Sequence, residues 1–201
     1  MKRQAIIENK EEIQKEIEER IGEKRMKHSL RVADMARDLA IKYGEDPEKA
    51  YIAGYYHDCM KIRDKDQLKK AAKDYGLAWT EDFDRAPQLV HSFLGAKVAE
   101  KRYGIKDPEI LSAMAYHTTG KPSMTGLEKI IYLADYGEPM RNFKGVDQAR
   151  DLIFKDLDAA MLYALNQTIR FLLDKESYIT PLSVQSRNDF LIKEKTHGQV
   201  F

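Results

Sequence analysis

Six side chains in this sequence are of the types that hold a hard or borderline divalent cation: His28, the adjacent pair His57-Asp58, His91, His117 and Asp135. Imidazole nitrogens and carboxylate oxygens without a thiolate favour iron, manganese, zinc or a similar ion over a soft-metal site. Their placement is not that of surface groups. His28 stands one turn before the apolar stripe Val32, Met35, Ala36, Leu39 and Tyr43. His57 completes Ala50, Ala53 and Gly54 at i, i+3, i+4, i+7 spacing, and His91 begins Leu94, Gly95, Val98 and Ala99. His117 follows Ile110, Ala113 and Met114, and Asp135 follows Leu127, Ile131 and Ala134. Only His197, in a polar stretch, escapes the pattern. One inward histidine is ordinary, since it needs a single hydrogen-bond partner. Burying several such groups without partners would cost roughly 1–3 kcal/mol each, so together they call for a shared ligand, and a bound metal supplies one.

An HD dipeptide alone occurs by chance in many proteins. Neighbouring residues on a helix point about 100° apart, so His57 and Asp58 can serve one ion only near a helix end or with the aspartate bridging. His28 and Asp135 complete a candidate set of four with them. His91 and His117 then supply ligands for a second ion, with Asp58 placed between the two.

The elements that must position these groups are helices. Gly44, Gly76 and Gly104 each follow an apolar-periodic segment, as C-terminal glycines do. Asp46-Pro47 and Asp107-Pro108 read as an N-cap with a first-turn proline, and Thr125 with Glu128 as a capping box. The pattern predicts helices over 3–21, 24–43, 47–58, 65–75, 87–103, 108–117, 126–138, 147–155 and 157–174, with a weak signal after Lys175. The expected architecture is all-α: a helix over 1–20 packing on one domain of residues 21–175, then a tail over 176–201. Ile6, Ile13, Ile17 and Ile21 form a thin stripe on the first helix, suited either to covering the core or to meeting a partner chain in a homodimer.

Composition narrows the function classes. The chain has 201 residues, 43% hydrophobic and 33% charged, with a formal net charge of +1. That balance, without an aromatic-basic stripe, gives no reason to expect nucleic-acid or anionic-membrane binding. No apolar run approaches the ~18 residues of a spanning helix, and the N-terminal segment lacks the apolar centre of a signal peptide. A single cysteine, Cys59, makes no internal disulfide. A cytoplasmic protein is expected.

Five segments then carry a resemblance: RMKHS (Arg25–Ser29), HDCMK (His57–Lys61), LVHSFLGA (Leu89–Ala96), AYHTTG (Ala115–Gly120) and YLADYGEPMR (Tyr132–Arg141). In this order they resemble the motif series of the HD superfamily of metal-dependent phosphohydrolases. More closely, they are similar to its YqeK-type branch of bacterial symmetrical diadenosine tetraphosphate hydrolases, over about residues 20–175. The resemblance implies a helical bundle with a dinuclear centre, His28, His57, Asp58 and Asp135 on one metal, and His91 and His117 helping to hold the other. It also implies hydrolysis of dinucleoside tetraphosphates to two nucleoside diphosphates by a metal-activated hydroxide, with two divalent ions, iron foremost, and Asp58 bridging. Arg25, Lys61 and Arg141 are the motif cations placed to meet the polyphosphate, Lys61 and Asp58 standing nearest the chemistry, and Thr118 can donate a hydroxyl. The competing readings are an HD phosphohydrolase acting on a deoxynucleoside monophosphate, a cyclic dinucleotide or an alarmone, and a non-catalytic nucleotide sensor or interaction module. A broken ligand set would mark the last, and all six candidates are present. Trp79 and Phe83 read as core or lid packing with a secondary option of walling a base, and the basic run at Lys69, Lys70 and Lys73 as solvent-facing.

Overall fold

A computed structural model describes residues 10–197, with side chains described from 11 to 194. Among these residues the structure is helical throughout: α1 (Lys10–Ile21), α2 (Glu23–Tyr43), α3 (Pro47–Tyr56), α4 (Lys65–Tyr75), α5 (Glu81–Arg85), a 3-10 turn (Pro87–Leu89), α6 (Val90–Lys101), α7 (Pro108–Tyr116), α8 (Gly126–Gly137), α9 (Val146–Ile153), α10 (Leu157–Asp174) and α11 (Pro181–His197).

The local signals act as their chemistry dictates. Asp46 accepts from the amides of Glu48 and Lys49, and Asp107 from that of Glu109, so each opens its helix with a proline in the first turn. Thr125 and Glu128 exchange side-chain and backbone bonds in a full capping box. Gly44 closes α2 in the left-handed region at φ 74°, where a side chain would be strained.

The centre is a four-helix cluster in which α2 packs on α3 and α8, α3 on α7 and α8, and α7 on α8. Around it lie α6 against α7, α4 against α6, and α10 against α8, α9 and α11. The stripe read on α2 is interior: Val32, Ala36 and Leu39 are fully buried. Small residues let α3 approach closely, since a methyl group on Gly54 would lie 2.8 Å from the Ala33 Cα. On α1, Ile17 is fully buried and Ile13 and Ile21 pack on the core, so this stripe covers the core; Ile6 lies outside the described residues. No helix among the described residues is long and apolar enough to cross a membrane.

Two segments depart from the expectation. The weak signal after Lys175 hides α11, a helix of 17 residues whose Phe190 is 1% exposed. Its buried face also carries Ser183 and Ser186, and those hydroxyls interrupt the apolar stripe that would have announced it. The five-residue α5 is too short to show a period. It is tied down instead by Asp82, which accepts from the hydroxyls of Tyr178 and Thr180, 2.5 and 2.9 Å away.

Candidate metal centre

The HD pair sits at a helix end. α3 closes at Tyr56, His57 is its C-cap, and Asp58 stands in the turn beyond, which frees both side chains to aim at one point. His117 occupies the same position after α7. His91 opens α6, His28 lies in the second turn of α2, and Asp135 in the last turn of α8.

All six come together. Three overlapping triads — His28, His57, Asp58; His57, His117, Asp135; Asp58, His91, His117 — have their ligating atoms within 4.8 Å of one another. Asp58 Oδ2 is 3.4 Å from His57 Nε2 and 4.0 Å from His28 Nε2. Its Oδ1 is 3.1 Å from His91 Nε2 and 3.6 Å from His117 Nε2. One carboxylate therefore faces both halves of the cluster. Asp135 Oδ1 is 3.0 Å from His28 Nε2 and 3.9 Å from His57 Nε2.

The imidazoles are oriented by a repeated local device. The Nδ1 of His57, His91 and His117 lies 2.6, 2.5 and 2.6 Å from the carbonyls of Gly54, Gln88 and Met114, each three residues earlier. A carbonyl only accepts, so Nδ1 must carry the hydrogen, and in the neutral ring Nε2 keeps its lone pair. His28 reaches the same state differently: its Nδ1 donates to Glu138, 3.1 Å away. All four Nε2 lone pairs thus face one centre. His91 and His117 bring theirs within 3.1 Å of each other, and the Nε2 atoms of His28 and His57 and the Asp58 Oδ1 are buried without a properly aligned hydrogen bond. Converging acceptors of this kind repel unless something positive lies among them. The donor set fits divalent cations.

Electrostatics agree. Burial pushes the Asp58 carboxyl up, yet the surrounding imidazoles hold it well below the usual carboxylate range. Asp135 behaves alike, with His28, His57 and Arg141 overcoming its burial. Burial with Lys61 alongside pushes His91 down to about 4, and burial likewise lowers His117, keeping both neutral as ligands must be. His57 is raised, because Asp58 and Asp135 outweigh its burial.

The expected phosphate contacts stand at its edge. Arg25 donates to Asp58 Oδ2 at 3.0 Å, Arg141 to Asp135 Oδ1 at 2.5 Å, and Lys61 Nζ lies 2.9 Å from His91 Nε2. The Thr118 hydroxyl is 3.4 Å from the same His91 nitrogen. The cluster lies beside a cleft of about 1150 Å³ whose wall adds Lys24, Lys27 and Arg63 to these cations, and Phe143 and Met140 as exposed apolar groups. Trp79 and Phe83 are not among the lining residues; they pack edge-to-face with each other, and Phe83 is buried. Lys69, Lys70 and Lys73 are exposed.

Three residues escaped the sequence reading. Glu138 was legible only as part of a motif, although it is 2% exposed. Arg31 grips it with Nε 2.7 Å and Nη2 3.3 Å from its two oxygens. Arg150 holds the loop after α8, donating to the carbonyls of Gly137, Glu138, Pro139 and Arg141. A polar residue on a short helix gives no signal for such contacts.

Residues 25–140 match the model of the HD domain. The chain is 38% identical over 175 residues to a protein of Halalkalibacterium halodurans named symmetrical bis(5'-nucleosyl)-tetraphosphatase, covering 87% of this chain and 93% of that one. A protein of the same name from Bacillus subtilis is 38% identical, with 86% and 92% covered. Among solved structures, a predicted HD superfamily hydrolase involved in NAD metabolism from Clostridium acetobutylicum superposes with a TM-score of 0.87 at 40% identity, covering 91% of this chain and 97% of that one. With that match spanning the cluster from Arg25 to the loop after Asp135, this chain belongs to the HD domain family.

Proposed function

We propose that this protein hydrolyses dinucleoside tetraphosphates symmetrically, diadenosine tetraphosphate yielding two ADP, with two divalent ions held by His28, His57, Asp58, His91, His117 and Asp135. The observation that carries the reading is the set of four Nε2 lone pairs and two ionised carboxylates converging beside a cation-walled cleft. Relatives named for that activity align over most of their length.

Divalent ions held there would supply Lewis acidity, lowering the pKa of a water and offsetting phosphate charge. Iron, manganese and zinc all suit an N/O donor set without thiolate, and the family resemblance puts iron first among them. The chain's own groups do the rest. Asp58 faces both halves of the cluster and holds their spacing. Lys61, Arg25 and Arg141 reach the cluster from the cleft side, where they meet the bridging phosphates and keep their charge from repelling an incoming nucleophile. Lys24, Lys27 and Arg63 extend that positive wall, and four phosphates in a row need such an extended wall where a monophosphate does not.

The test is product analysis. Protein loaded with iron or manganese is incubated with diadenosine tetraphosphate and the products are separated by ion exchange. ADP as sole product supports symmetrical cleavage; ATP with AMP rejects it.

A further inference from the structure

Three of the four clustered histidines are oriented by their own helical turn, each Nδ1 bonded to the carbonyl three residues before it. His28 has no such option. It lies inside α2, where the carbonyl of Arg25 belongs to the helix ladder. Its Nδ1 turns instead to Glu138, 110 positions away in the chain. Glu138 is buried, and four donors reach its two oxygens.

We propose that Glu138 and Arg31 are positioning residues for the metal centre: the Arg31-clamped Glu138 carboxylate fixes His28 as the Nδ1–H tautomer and thereby aims its Nε2 at the cation. The inference rests on the metal-binding reading above. The geometry makes the demand specific. Glu138 Oε2 receives two donors, Arg31 Nε at 2.7 Å and the Met140 amide at 2.9 Å. Oε1 receives His28 Nδ1 at 3.1 Å and Arg31 Nη2 at 3.3 Å. A carboxylate can accept all four; an amide cannot. In Glu138→Gln the oxygen must stay with the two short donors on the Oε2 side, because an NH₂ there would face N–H groups. The NH₂ then points at His28 Nδ1, which must accept, and the ring proton moves to Nε2. The lone pair leaves the centre while shape and volume are kept.

The test uses the full chain and two readouts that do not involve turnover. Long-range ¹H–¹⁵N correlation spectra report which ring nitrogen of His28 is protonated, and calorimetric titration with Mn²⁺ reports affinity and stoichiometry. Wild type is expected to show Nδ1–H at His28, and Glu138→Gln to show Nε2–H with affinity at one site reduced about 10- to 100-fold, the usual scale for losing an outer-shell partner of a ligand. Arg31→Lys, which keeps the charge without the fork, is expected to lose less than Arg31→Ala. A Glu138→Gln protein that is folded by circular dichroism and binds Mn²⁺ like wild type overturns the inference, as does an Nε2–H His28 in wild type. Wild type taking up no Mn²⁺, Zn²⁺ or Fe²⁺ at all overturns the metal reading itself, a distinct failure.

Discussion

Replacing Gly54 by alanine sets two opposed physical effects against each other at the turn that carries His57. A Cβ there would lie 2.8 Å from Ala33 Cα, 3.0 Å from Ala33 N and 3.2 Å from the Val32 carbonyl carbon. All three atoms are backbone of α2, so no rotamer change relieves the contact. The helices must separate by about half an ångström, and overpacking of this kind costs roughly 1–3 kcal/mol. Against it stands the gain of about 1 kcal/mol from replacing a mid-helix glycine by alanine. The expected net loss is about 0–2 kcal/mol, a fall in Tm of up to about 8 °C for a chain of this size. Gly95→Ala is the matched control. Its Cβ would meet Cys59 Sγ and the His57 carbonyl at 3.5 Å, ordinary contact, so only the propensity gain applies and Tm should hold or rise. Thermal melts followed by circular dichroism, both variants side by side, measure the difference. If Gly54→Ala gains as much in Tm as Gly95→Ala, close approach of α3 to α2 is not what this glycine provides.

Two further outcomes are expected. The Arg102 guanidinium, with Arg20 and Tyr103, holds the Glu16 carboxyl at about 2 against the opposing effect of burial. A depressed folded pKa means the stabilisation is complete above the ordinary value near 4.5 and is lost as pH falls toward 2. Glu16→Gln should therefore lose about 1–2 kcal/mol at pH 7, after allowance for screening of this partly exposed group, and show a shallower decline between pH 4.5 and 2 in denaturant titrations; parallel curves would remove the linkage. Phe143, 39% exposed on the cleft wall and braced by the Tyr136 ring at 5.0 Å, is an apolar surface in a cationic groove. If it stacks on a nucleobase, Phe143→Ala should raise KM for diadenosine tetraphosphate about 5- to 100-fold, the range set by about 1–3 kcal/mol of stacking, with kcat nearly unchanged. An unaltered KM would assign the ring to holding its loop.

What the sequence made legible was what repeats at helical spacing. His28, His57, His91, His117 and Asp135 each continued an apolar stripe, and the aspartate and threonine caps marked where three of those helices start, so the cluster was legible in the residue types alone. What stayed hidden were contacts between residues far apart in the chain. Arg31 lies on α2 one turn beyond His28, and nothing in the neighbouring sequence marks it; its role depends on Glu138 arriving from the end of α8. Arg150 was equally silent, because carbonyl acceptors leave no mark in residue types. The serines on the inner face of α11 concealed a helix by the reverse effect, polar groups standing where an apolar stripe was sought.

The way the imidazoles are held has a consequence for how the centre can come apart. His57, His91 and His117 each take their orientation from a carbonyl within their own turn, so their aim survives for as long as that turn does and can be spoiled only by displacing a whole helix. His28 alone depends on a remote loop, which Arg150 pins through four carbonyls. Thermal agitation or drift in sequence should therefore disarm the His28 corner first, while the other three corners stay in register until the bundle itself melts.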